Sequence, residues 1–139
     1  MKNENAESLI AKFPRLYRKV KSAGSIVPMG FGFECGDGWV DILCDLSAAI
    51  EARAAAAGLD RDSAKWPAAD QVKEKFGELR YYLTTPEGLD VGDLVAEAWK
   101  KSSVTCEHCG EPGRMRDGAW LSTACDSCHA KMVSRKNGY

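Results

Sequence analysis

No stretch of the chain approaches the ~20 consecutive apolar residues of a membrane-spanning helix, so no spanning helix is expected. The N-terminus, Met1-Lys2-Asn3-Glu4-Asn5, lacks the apolar run of a secretory signal, and the expected location is a reducing cytoplasm. Net charge is nearly absent, at −1 over 139 residues. That balance disfavours a uniformly basic duplex binder, whose affinity would rest on many phosphate contacts. The glycines between Gly24 and Gly38 are not followed by Gly-Lys-Ser/Thr, which rejects a phosphate-cradling loop. Histidine is scarce, with two residues, His108 and His129. A cysteine–histidine nucleophile would have to combine one of these with Cys35 or Cys44, yet both histidines sit among the C-terminal cysteines. Glu34 and Asp37 form an acidic pair with no base or metal beside them. His129 alone does not complete the histidine set of a treble-clef nuclease. No catalytic residues are expected, and the reading is not an enzyme.

Cysteine, by contrast, is present six times. In a reducing compartment that number points to metal rather than disulfides. Four of the six follow the spacing C-x2-C-x15-C-x2-C: Cys106, Cys109, Cys125 and Cys128. Two cysteines separated by two residues can place both thiolates on one ion, and two such pairs complete the tetrahedral shell that zinc prefers. Gly110 suits the tight turn after the first pair. A knuckle, a hairpin over residues 111–123 and a helix opening near Cys128 make a treble-clef or zinc-ribbon module. The expected cofactor is one structural Zn2+, with no open coordination position for chemistry. Substitution of one cysteine by His108 or His129 stays open at this point. Cys35 and Cys44, eight residues apart, have poor metal spacing and read as small buried hydrophobes.

The expected fold class is α+β, with a body over residues 1–103 and a zinc-binding module over 104–139. Leu9, Phe13, Leu16 and Val20 recur at helical spacing, and Pro14 predicts a kink or two short helices. Residues 29–35 alternate small and large side chains as a short strand does, with Phe31, Phe33 and Cys35 on one face. Asp37 is placed to cap a helix that buries Trp39, Leu43, Leu46 and Ile50 and stops at Gly58. Gln71 to Leu83 reads as a hairpin turning at Phe76-Gly77. With residues 29–35 it predicts a three-stranded antiparallel sheet. Asp90 starts a further helix that runs to about Ser102 and buries Val91, Leu94, Val95 and Ala98.

Charge is unevenly spread along this plan. Residues 1–24 carry six basic and two acidic side chains, residues 25–99 six and fourteen, and residues 100–139 seven and four. The acidic middle includes Asp41, Asp45 and Glu51, which lie off the buried stripe of the long helix and give it a negative outer face.

The block Gln71-Val-Lys-Glu-Lys-Phe-Gly-Glu-Leu-Arg-Tyr-Tyr-Leu83, together with the Cys106–Cys128 block and its Gly118-Ala-Trp-Leu-Ser122, resembles a family of small zinc-finger proteins of phages, prophages and bacterial genomes. Gly36-Asp-Gly-Trp39 also fits, and the resemblance spans roughly residues 27–130. It implies a zinc module and a mobile-element context, and no catalytic residue. The expected function is therefore a non-enzymatic, phage-derived protein. Its partner would be a host protein or ribonucleoprotein complex, such as a CRISPR–Cas nuclease, inhibited or modulated through the acidic face, since charge complementarity steers association with basic channels. The competing expectation is a nucleic-acid-binding regulator that uses Arg114, Arg116, Lys131, Arg135 and Lys136.

Overall fold

The computed structural model describes residues 1–21, 30–118 and 120–137. Met29, the side chain of Lys136, and Ala119 lie outside that description. Helix α1 spans Asn3–Lys12 and ends at Phe13. Pro14 stops the helix rather than kinking it, because the residue before a proline is disfavoured in the α region. The apolar spacing continues through turns, so Leu9, Phe13, Leu16 and Val20 are all buried although only the first is helical.

Strand β1 is short, Phe33–Glu34, and a 3-10 turn over Asp37–Trp39 leads into helix α2, Val40–Ala56. Trp39, Leu43, Leu46 and Ile50 are buried as the periodicity predicts. Gly58, at φ +83°, ends the helix. Its N–H reaches Ala55 O and that of Leu59 reaches Ala54 O, the paired bonds of a Schellman stop.

Strands β2, Ala68–Lys75, and β3, Glu78–Thr84, form the expected hairpin. Phe76 and Gly77 both have positive φ, at 54° and 79°, as a two-residue I′ turn requires. The sheet order is β1-β2-β3. Its sense differs from the sequence expectation: β1 runs parallel to β2, with Phe33 opposite Val72. The cause is the connection between them. Helix α2 and the loop after it carry the chain back to the starting end, and such a crossover delivers a parallel strand.

Helix α3, Gly92–Ser102, then packs beside α2 and β3, with Val91 and Ala98 buried and Leu94 and Val95 partly so. In the core, the Tyr81 hydroxyl donates to Tyr17 at 3.1 Å and Tyr17 donates to Ser47 at 2.5 Å, while Ser47 donates to Leu43 O at 2.6 Å. This chain leaves no hydroxyl of the three unpaired, which is what their burial demands. Among the described residues, no helix is long and apolar enough to cross a membrane.

Asp37 does not cap α2 with its side chain. Its Oδ1 accepts instead from Lys2 N at 2.7 Å and Asn5 Nδ2 at 2.8 Å, tying the start of α1 to the 3-10 turn. The Lys2 backbone N–H, and then the Asn5 amide, hold this carboxyl below the usual aspartate range. A depressed folded pKa stabilises the native state above the unfolded pKa of about 3.9 and loses that contribution as pH falls through the folded value. Asp37→Asn is thus expected to flatten the acid side of the stability profile below about pH 4. Urea midpoints measured from pH 2 to 6 check this; a variant profile parallel to that of the parent would exclude the role.

Candidate metal centre

After α3 the chain makes a narrow knuckle. Cys106 N donates to Glu111 O at 2.7 Å, and Gly110 N to Cys106 O at 2.9 Å. Gly110 takes φ +83°, which only glycine adopts without strain. Strands β4, Arg114–Arg116, and β5, Ser122–Ala124, pair antiparallel, and helix α4, Asp126–Asn137, follows at once. Cys125 therefore sits at the junction of strand and helix and Cys128 in the first helical turn. Knuckle, hairpin and ligand-bearing helix follow one another in treble-clef order, which confirms the expected module.

The Sγ atoms of Cys106, Cys109, Cys125 and Cys128 all lie within 4.8 Å of one another. Cys109 Sγ and Cys125 Sγ are 3.7 Å apart. A tetrahedron with metal–sulfur bonds of about 2.3 Å has edges of about 3.8 Å, whereas a disulfide would bring the sulfurs to about 2.05 Å. The spacing fits ligands around an ion, and all six cysteines are free. Cys128 N also donates to Cys125 Sγ at 3.3 Å. Among the described residues the ligand group comprises the four cysteines and neither histidine. His108 is exposed, and His129 lines a separate hollow with Trp120, Met132 and Val133.

The electrostatics of the cluster call for a cation. At Cys106, burial opposes ionisation, but the backbone N–H groups of Cys125, Cys109 and His108 outweigh it and bring the thiol down to about 6. At Cys128, burial and then the three neighbouring sulfurs push the thiol up to about 12. A charge on Cys128 beside its neighbouring sulfurs is opposed unless a divalent ion supplies the opposite charge. Four thiolates then close the shell, so the centre can hold one metal ion and offers it no site for substrate.

The module is seated on the body at two places. Gly38 N donates to Glu107 O at 2.7 Å, Gly36 N to Glu107 Oε2 at 2.9 Å, and Trp39 Nε1 to Thr105 O at 2.9 Å. Burial pushes the Glu107 carboxyl above the usual glutamate range even though the Gly36 N–H opposes it. A Cβ on Gly38 would lie 2.1 Å from Cys106 O, so only glycine lets the knuckle approach this closely. The second seat is the β2–β3 turn, where Thr123 Oγ1 donates to Gly77 O at 2.7 Å. Spacing showed the four ligands but not Thr105, Glu107 or Gly38. The clue was two glycines flanking Asp37 immediately before a tryptophan.

Of the expected basic face, Arg116 is withdrawn. Its Nε donates to Ala124 O at 3.1 Å and its Nη2 to Asp126 Oδ1 at 2.7 Å, bracing the start of α4. Cys35 is buried and Cys44 half-buried; neither joins the cluster, and burial pushes the Cys35 thiol up to about 12. No protein-family model matches the chain, and neither a curated protein nor a solved structure matches it.

Proposed function

We propose that the ion is Zn2+, held structurally by the four thiolates. In this reading the chain is a non-enzymatic protein of phage or prophage origin that acts in the bacterial cytoplasm, where thiols stay reduced. It binds and inhibits or modulates a host macromolecular complex, a CRISPR–Cas nuclease being the kind of target that its charge suits. The supporting observation is a patch of carboxylates that form no ion pair. Asp41 and Asp45 are exposed on α2, and Asp45 and Glu97 flank a shallow groove between α2 and α3 that Lys101 also lines. Among the described residues, no basic group pairs with any of the three. Glu51 leaves the set proposed from sequence, because its Oε2 accepts from Trp66 Nε1 at 3.0 Å and Arg61 lies 3.7 Å from Oε1. Unpaired like charges cost little on a free surface and gain most against a basic partner, where they steer encounter and fix register.

Pull-down from host lysate with the zinc-loaded protein tests this. The expected result is a specific protein that survives nuclease treatment and is lost when Asp41, Asp45 and Glu97 are changed together to lysine. Retention by the triple variant would remove the acidic-face reading. Recovery of nucleic acid alone would favour a regulator, a reading weakened by the internal use of Arg116.

A further inference from the structure

We infer that the open edge of β3 is a docking groove for an extended peptide carrying an acidic side chain, which adds to the sheet as a fourth strand. Strand β3 is an edge strand, and among the described residues no other strand pairs with its outer side. The backbone there is oriented for pairing. Leu79 N points away from β2, since it donates to Ser102 Oγ at 3.2 Å. Backbone groups alternate sides along an antiparallel strand, so Tyr81 presents its N–H and C=O to the same open side. An unpaired row of this kind is a template for another chain.

Helix α3 runs beside that edge and turns it into a groove of about 350 Å3, walled by Tyr81 and Tyr82 on the strand and by Gly92, Val95, Ala96 and Trp99 on the helix. Gly92 and Ala96 leave room on the helix side. One end is closed: Ser102 occupies the Leu79 N–H, and Trp99 Nε1 donates to Glu78 Oε2 at 2.7 Å. A slot between an edge strand and a helix, open along the strand, is the arrangement in which peptides bind by strand addition.

Charge identifies the occupant. Arg80 also lines the groove and lies directly across from Lys73 on β2. Like charges in that relation repel. On its other side Lys73 faces Glu34 of β1, without forming an ion pair among the described residues, so the row across the sheet reads Glu34, Lys73, Arg80. Arg80 has an ion-pair partner, Glu78 Oε2 at 3.3 Å from Nη2, and its buried Nε has no acceptor at all. A carboxylate on the added strand, opposite Arg80, offsets the Lys73–Arg80 repulsion.

The inference rests on the reading of the chain as a protein binder, and its test is separate from the lysate experiment. A random seven-residue peptide library is selected on the metal-loaded full chain, and the strongest binder is synthesised. Its binding is expected to slow hydrogen exchange of the Tyr81 amide at least tenfold. Ala96→Trp, at an exposed helix position, fills the groove and weakens binding at least tenfold, with metal content and far-UV circular dichroism unchanged. Replacing the acidic residue of the peptide by lysine weakens it at least threefold, and Arg80→Glu reverses that preference. A binder that leaves Tyr81 exchange unchanged, ignores Ala96→Trp or lacks an acidic residue overturns the inference, as does a library that yields none. A host partner kept by Ala96→Trp but lost with the Asp41, Asp45 and Glu97 triple variant would overturn the groove while leaving the proposed function standing.

Discussion

Removing the metal with excess chelator at neutral pH is expected to unfold residues 104–137 and to lower the melting temperature of the whole chain by roughly 10–20 °C. The size follows from the chemistry. Structural zinc in isolated finger peptides supplies about 10–16 kcal/mol of apparent binding free energy. The module has little else of its own. Cys106 and Ala124 are fully buried, but among the described residues α4 contributes no buried side chain, and Trp120, Leu121 and Val133 are exposed. Cys109→Ser and Cys125→Ser should reproduce the loss without chelator, with metal content falling from one ion per chain to near zero by elemental analysis. His108→Ala and His129→Ala should keep the ion, since neither ring lies in the ligand cluster. A cysteine variant that still binds one ion with an unchanged melting temperature would refute the four-thiolate assignment.

Gly38→Ala should be nearly as damaging although it touches no ligand sulfur. The new Cβ would meet Cys106 O at 2.1 Å, and Glu107 C and Gly110 N at 2.6 Å, all of them backbone atoms that cannot rotate aside. Relief requires the knuckle to lift off the 3-10 turn, which breaks the Gly38–Glu107 and Trp39–Thr105 bonds and opens the side of Trp39 to water. A cost of about 3–5 kcal/mol is expected, together with weaker metal retention in competition with a chromophoric chelator. Gly32→Ala is the control. Its Cβ would meet nothing within 4 Å, and it should stay within about 0.5–1 kcal/mol of the parent. Equal denaturant midpoints for Gly38→Ala and Gly32→Ala would show that the contact does not hold the module down.

The features legible in the sequence were those fixed by local chemistry. Ligand spacing gave the metal centre, the period of Trp39, Leu43, Leu46 and Ile50 gave α2, and the Phe76-Gly77 pair gave the hairpin turn. Those that were not legible depend on which distant group arrives. Phe33 and Glu34 read as a strand, but nothing in two residues states a direction; the crossover through α2 does. Asp37 precedes a helix and has the right chemistry for a cap, yet Lys2 and Asn5 claim its carboxylate. Glu51 has the spacing of a solvated charge, yet Trp66 and Arg61 take it. Leu16 and Val20 keep helical spacing in a segment of turns, since burial selects apolar residues whatever the backbone does between them.

The seat at Gly36–Trp39 also bears on how the chain is made. Its partners Thr105 and Glu107 are encoded some 70 positions later, and residues are added at about 5–20 per second during synthesis. For roughly 3–14 seconds the large indole of Trp39 leaves the ribosome with its Nε1 unanswered and one flank of α2 uncovered. During that interval the nascent body is open to proteases and holding chaperones on the face that the metal module later covers.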